Sequence, residues 1–252
     1  MKSLKFGVCF LSINALLIGL ECSSAKAFTL DLFTDANEEP VPSVKRQKIE
    51  TQAFINSFVS DTDTGLSGTD LGQRTLELTV DELSEDNASI QVISSPSQNT
   101  ASISSNSGVT IESAKFTWGS DSTIPQDITD GGADDSLLID IISIDLTTGA
   151  DLTFTFEDSD GDIGSIIQNV SSTGNVYFPY ETLTNDFPNV NQTAIREISL
   201  DITNVNPDFD ARFNFVESAV QPVPFEFSPS LGIVLCGGLF GMNKLKKKLK
   251  SN

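Results

Sequence analysis

The chain has no histidine, three cysteines, one tryptophan and two tyrosines among its 252 residues. Each shortage closes a route. Without histidine there is no Ser-His-Asp or Cys-His nucleophile system, and zinc sites of the usual His- or Cys-rich kind lack their ligands. No phosphate-binding P-loop and no dinucleotide-binding glycine motif occurs. Cys9 and Cys22 lie in an N-terminal segment that reads as removable, and Cys236 lies in a C-terminal apolar run. The body between them therefore has no disulfide and is held by its core alone. Positive charge is also scarce: fifteen Lys and Arg stand against thirty-five Asp and Glu, a formal net charge of −20.

The two ends differ from the middle. The start, MKSLKFGVCFLSINALLIGLECSSAKAFTL, has a basic head at Lys2 and Lys5, a mostly apolar stretch from Phe6 to Leu20 and a small-x-small site at Ala25-Lys26-Ala27. This is the pattern of a secretory signal peptide, residues 1–27, with a mature start at Phe28. The apolar stretch is short of the ~20 residues of a spanning helix, the alternative reading. Glu21 stands where a lipid-modified Cys22 would need a small residue.

The far end, residues 220–252, contains the only dense block of positive charge, Lys244-Leu245-Lys246-Lys247-Lys248-Leu249-Lys250. Ser230 to Met242 is apolar and glycine-rich. Extended back to Phe225, it approaches the ~20 residues of a short membrane helix. The lysines after it resist translocation and stay cytoplasmic. Glu226 at the outer border belongs in the headgroup zone or in a recognition motif. The alternative is an amphipathic helix of a soluble protein, but here polarity is divided end to end rather than face to face.

Pro224-Phe225-Glu226-Phe227-Ser228-Pro229, then Leu231-Gly232, a glycine-rich apolar helix and a lysine-rich end resemble the PEP-CTERM sorting signal in its cyanobacterial P-F-E-F-S-P form. Phe225 departs from the commoner form, in which glutamate follows the first proline. The resemblance covers about the last thirty residues. It implies processing by an exosortase-type membrane transpeptidase, after signal peptidase has acted at the other end, with delivery to the cell surface or extracellular matrix. It implies an address and not an activity.

Once both ends are set aside, seven basic residues face thirty-three acidic ones in residues 28–219, leaving −26. Such a charge argues against nucleic acid and anionic membrane surfaces as partners. It suits solubility, cation uptake or a hydrated polysaccharide setting.

The middle reads as strands. FTLDLF (28–33), QRTLELTV (73–80), ASIQVIS (88–94), VTIESAKFTWG (109–119), SLLIDIISIDL (136–146), GNVYFPYETL (174–183), TAIREISLDIT (193–203) and DARFNFVES (210–218) carry two-residue alternation or β-rich runs. In DLTFTFEDSDGDIGSIIQNV, Leu152, Phe154 and Phe156 share one face. Gly149 and Asp160-Gly161 sit where hairpin turns are wanted, and a hairpin is also expected to join 73–80 to 88–94. TDANEEPVPSVKRQK reads as a solvated loop with a basic cluster at Lys45-Arg46-Gln47-Lys48, and SSPSQNTASISSNSG as a loop or thin edge strand. No helical period stands out. About ten short strands over 28–219 predict an all-β fold, one β-sandwich or jelly roll. The segment VYFPYETLTNDFPNVNQTAIREISLDITN…DARFNFVE resembles the closing strands of galactose-binding-like and carbohydrate-binding jelly rolls, in pattern only, and carries no binding residue across.

Candidate site residues are few. Asp158, Asp160 and Asp162 have the short acidic spacing of a calcium loop, although Ile163 stands where an EF-hand needs glycine; the alternative is a polar hairpin turn. Asp127, Asp130, Asp134 and Asp135 in DITDGGADD form a second acidic candidate. Asp208 and Asp210 flank Phe209 in a turn. Trp118 and Tyr177 are candidate sugar-stacking rings, the alternative being core or rim positions. The expectation is an exported, non-catalytic surface or matrix domain that associates with polysaccharide, with calcium as a candidate cofactor. The alternatives are a secreted glycosidase-like hydrolase using paired carboxylates and a ligand-free structural component.

Overall fold

The alternation read in the sequence is realised as inward and outward faces of strands. In QRTLELTV, Leu76, Leu78 and Val80 are fully buried while Gln73, Thr75, Glu77 and Thr79 face outward. In ADLTFTFED, Leu152, Phe154 and Phe156 are likewise fully buried. Burying a Leu, Ile or Phe side chain contributes about 1.5–3 kcal/mol, so the period of two selects both the strand and the face it presents.

The computed structural model describes residues 28–34, 45–52, 57–80, 87–95, 98–105, 109–120, 123–145 and 149–222. Along the chain the strands are β1 (Thr29–Asp31), β2 (Lys45–Gln52), β3 (Ser57–Thr64), β4 (Gln73–Val80), β5 (Asn87–Ser95), β6 (Gln98–Ser105), β7 (Ile111–Gly119), β8 (Ser136–Ile144), β9 (Ala150–Asp158), β10 (Ile163–Val170) and β11 (Gly174–Pro179). A short helix, α1 (Glu181–Asp186), then precedes β12 (Ile195–Thr203) and β13 (Asp210–Ala219). The strands pair antiparallel into two sheets. One runs β11-β8-β13-β6-β5-β2, with β1 added on β13; the other runs β10-β9-β12-β7-β4-β3. The fold is an all-β sandwich, as the sequence predicts.

Phenylalanines join the two sheets. Phe116 on β7 meets Phe213 on β13 edge to face, ring centroids 6.4 Å apart. Phe154 on β9 meets Phe178 on β11 at 4.7 Å and 81°. Phe156 meets Tyr180 at 6.3 Å and 88°. Edge-to-face geometry suits the ring quadrupoles, and these rings span the inter-sheet space without any cross-link.

Several expectations are corrected. β4 and β5 form no hairpin: they belong to different sheets. Gly149 serves no hairpin either, since β8 and β9 also lie in different sheets. It has φ +81°, and a Cβ there would stand 2.7 Å from the Val170 carbonyl oxygen. Asp160-Gly161 does turn the β9–β10 hairpin. The basic stretch read as a loop is strand β2, paired along its length with β5, and the serine-rich 98–105 is a full strand between β5 and β13. β3 went unread. The expected strand 174–183 ends at Pro179 and turns into α1. In β12 a register shift between Ile195 and Glu197 lets both Ile195 and Ile198 point inward, which strict alternation forbids.

Candidate functional site

The corner after β11 combines three chain segments. Tyr180 follows the strand and caps α1, whose residues Glu181 and Thr184 face outward beside it. The backbone N–H of Tyr180 donates to the Asp135 carbonyl at 2.8 Å. Gln192, in the loop after α1, donates from Nε2 to the Tyr180 carbonyl at 3.3 Å and to Thr184 Oγ1 at 3.1 Å. The third segment is the acidic loop 127–135. Asp127 folds it: Oδ1 accepts from the Thr129 N–H at 2.9 Å and its hydroxyl at 2.7 Å, and Oδ2 accepts from the Gly131 N–H at 3.0 Å. Burial raises the Asp127 carboxyl, but these bonds outweigh it and hold the group below the usual carboxylate range.

The loop is fastened to the end of β13. Asp134 Oδ2 accepts from the Ser218 hydroxyl at 2.5 Å, and Asp135 Oδ1 accepts from the Gln221 N–H at 2.7 Å. Together these segments enclose a cleft of about 320 Å³ lined by Thr129, Asp134, Asp135, Tyr180, Glu181 and Gln192, among others. Tyr180 is 3% exposed and its ring packs on Phe156. Its hydroxyl is buried and has no hydrogen-bond partner. Burial, then the negative charges of Asp134, Asp127 and Asp135, push that hydroxyl well above the ordinary phenol range. It is therefore a permanent donor in an acceptor-rich surrounding. Burial and Asp134 also raise Glu217.

The cleft contains Asp134 and Asp135 from the second acidic candidate, whereas Tyr180, Glu181, Thr129 and Gln192 were not singled out from sequence. The one available signal was the change from a two-residue period to ETLTND after Pro179. Asp158 is fully buried at the β9–β10 turn, and its carboxylate is taken up by backbone: Oδ1 accepts from Asp160 at 2.9 Å and Asp162 at 3.0 Å, Oδ2 from Asn191 at 2.8 Å. Burial alone would raise this carboxyl; donors at Asn191, Asp162, Asp160 and Gly161 bring it below the usual range. Among the described residues no three acidic side chains converge as metal ligands.

Trp118 and Tyr177 lie in different sheets. Trp118 is fully buried, stacked on Phe116 with centroids 5.7 Å apart, and its indole N–H donates to Asp31 Oδ2 at 2.7 Å. In this position it offers no ring face to a ligand. Tyr177, opposite Leu138 on edge strand β11, is part-exposed. Asp208 has φ +66° in the turn before β13, and Asp210 opens that strand. Residues 1–27 and the motif Pro224, Phe225, Glu226, Phe227, Ser228 and Pro229, with the basic tail, lie outside the described residues. Among the described residues no helix is long and apolar enough to cross a membrane.

No family model and no curated protein matches this chain. Its structure is similar to carbohydrate-binding modules and sugar-hydrolase domains. A family 11 carbohydrate-binding module of a cellulosomal cellulase of Clostridium thermocellum is 12% identical with a TM-score of 0.34, over 80% of this chain and 98% of that one. A family 30 module from a cellulosomal cellulase of the same organism is 12% identical with a TM-score of 0.36, over 69% and 99%. An exo-β-agarase is 13% identical with a TM-score of 0.38, over 79% of this chain and 26% of that one. This chain thus spans about a quarter of that agarase. Likeness at this level carries neither ligand nor activity across.

Proposed function

We propose that the protein is exported, is sorted through its C-terminal signal by an exosortase-type enzyme, and serves at the cell surface or in the matrix as a non-catalytic domain that holds neutral polysaccharide in the Tyr180 cleft. The observation that carries the reading is the buried, unpartnered Tyr180 hydroxyl in a residue that lines a cleft together with Asp134, Asp135 and Glu181. A buried polar group without a partner costs roughly 1–3 kcal/mol, and a polyol can repay it. A sugar oxygen accepts from Tyr180, while sugar hydroxyls donate to Asp134, Asp135 and Glu181.

Retention of the purified full-length protein on agarose, cellulose and soluble dextran tests this. Wild type is retained on at least one polymer, without releasing reducing sugar. Tyr180→Phe removes a hydroxyl that has no partner, so its thermal midpoint stays level or rises, while binding falls roughly five-fold, the equivalent of one hydrogen bond of about 1 kcal/mol. Absence of retention on every polymer, equal binding by Tyr180→Phe, or turnover of the polymer would overturn the reading.

A further inference from the structure

The outer face of the larger sheet bears a second feature, independent of the Tyr180 cleft. Register places Lys48 on β2 opposite Gln91 on β5, Gln91 opposite Ser102 on β6, Ser102 opposite Arg212 on β13, and Arg212 opposite Ser143 on β8. The result is one polar row across five strands. At about 4.8 Å per strand it spans roughly 19 Å. A groove of about 350 Å³ lies along it, lined by Gln91, Ser102, Ser104, Ser143, Asp210 and Arg212.

Charge singles out Arg212. Lys48 is paired with Glu50, Arg74 with Asp31, Lys115 with Glu77 and Arg196 with Glu157. Among the described residues Arg212, exposed on its strand, has no carboxylate partner, although acids outnumber bases 35 to 15 in the chain. Asp210 lies two residues away on the same face, yet the two form no ion pair. An arginine left free in such surroundings keeps its planar fork of donors available. Ser102 and Ser143 stand on either side of it, one strand away each, and add hydroxyl donors.

We propose that this groove binds an anionic glycan, with a carboxylate or sulfate ester of the sugar held by the Arg212 guanidinium between Ser102 and Ser143. The fork matches a planar, bidentate anion. Gln91, Ser104 and Asp210 hydrogen-bond the neutral hydroxyls of the same chain. The large negative charge of the protein does not forbid this. At physiological salt the Debye length is about 8 Å, and within the row and its immediate edge Lys48 and Arg212 balance Glu50 and Asp210. The strip thus holds two of the few cations of an acidic molecule. The Tyr180 cleft lies at the other end of β8 and β13, roughly 25–30 Å away by strand rise, so the two sites do not overlap.

The test is affinity electrophoresis of the full-length protein at about 0.15 M salt in gels carrying polygalacturonate, dextran sulfate or plain dextran. At least one anionic polymer retards wild type; which of the two does so assigns the carboxylate or the sulfate ester. Arg212→Gln, at an exposed position and with an unchanged thermal midpoint, weakens that retardation at least ten-fold, or about 1.4 kcal/mol. Arg212→Lys keeps part of it, and Tyr180→Phe none the less binds as wild type does. Retardation by neither anionic polymer, or equal retardation of Arg212→Gln, would overturn the proposal. Failure of the polysaccharide-cleft reading shows separately, in the neutral polymers and the Tyr180 variant.

Discussion

A single carboxylate organises the interior at the N-terminal edge. Asp31 is 1% exposed and meets Arg74 Nη1 at 2.7 Å, the Trp118 indole N–H at 2.7 Å and the Phe33 N–H at 2.7 Å. Arg74 is fully buried, and its Nε donates to Gln47 Oε1 at 2.8 Å. Asp63 stands 3.9 Å from the same guanidinium. The pattern FTLDLF predicts strict alternation, yet a register shift between Thr29 and Asp31 turns the aspartate inward. Phe33 then adopts φ +53°, a region costly for a bulky side chain, held there by Asp31 Oδ1. A buried charge stripped of its main partner destabilises by about 3–5 kcal/mol. Asp31→Ala therefore lowers unfolding stability by that order, and Asp31→Asn by less, because its shape and one acceptor remain. Urea unfolding followed by fluorescence of Trp118, the sole tryptophan, reads both the loss and the indole environment. A change below about 1 kcal/mol for the alanine variant would show that Arg74 finds its compensation elsewhere.

At the scale of elements, Asp158 does for the β9–β10 hairpin what Asp127 does for the loop before β8: one side chain satisfies successive backbone donors. Asp158 goes further and reaches Asn191, fixing the loop between α1 and β12 against the hairpin. Gly164 allows this approach, since a Cβ there would lie 2.9 Å from the Phe187 ring. Because the folded-state carboxyl is depressed, its contribution is present above the unfolded value of about 3.9 and is lost as pH falls through the lower folded one. Wild type thus loses thermal stability below about pH 4, and Asp158→Asn, weaker by about 1–2 kcal/mol at neutral pH, loses less over the same interval. Parallel pH curves for the two would exclude this role. Such devices explain what the sequence could disclose. β4, β7 and β9 were legible because a leucine or aromatic recurs every second residue. β2 was not: Lys45-Arg46-Gln47-Lys48 reads as solvated, and nothing local reveals that Gln47 is fully buried because Arg74 waits for it. The Tyr180 cleft escaped for a related reason. Its walls come from residues 129–135, 179–192 and 221, and only folding brings them together. Arg212 showed in the sequence only as a lone cation in DARFNF.

At the scale of the whole molecule, a disulfide-free sandwich must hold together against its own charge. At ~0.01 M salt the Debye length is ~30 Å, comparable to a small domain, so each carboxylate repels nearly every other; at ~0.15 M it is ~8 Å and only neighbours interact. Net charge far from zero destabilises the compact state, and with −26 between the two ends that term is large here. Raising sodium chloride across this range therefore raises the thermal midpoint, at about 2–4 °C for each kcal/mol relieved in a chain of this size. The identity of a divalent cation adds a second comparison. Screening depends on ionic strength alone, whereas a built calcium site adds RT ln(1 + [L]/Kd) on top. Asp158 has given both oxygens to backbone donors, and no acidic trio converges among the described residues. Calcium and magnesium at equal ionic strength consequently move the midpoint by the same amount. A calcium increment beyond magnesium would mean that carboxylates rearrange to hold the ion, and a midpoint indifferent to salt would mean that the acidic surface is already relieved by its own hydrogen bonds.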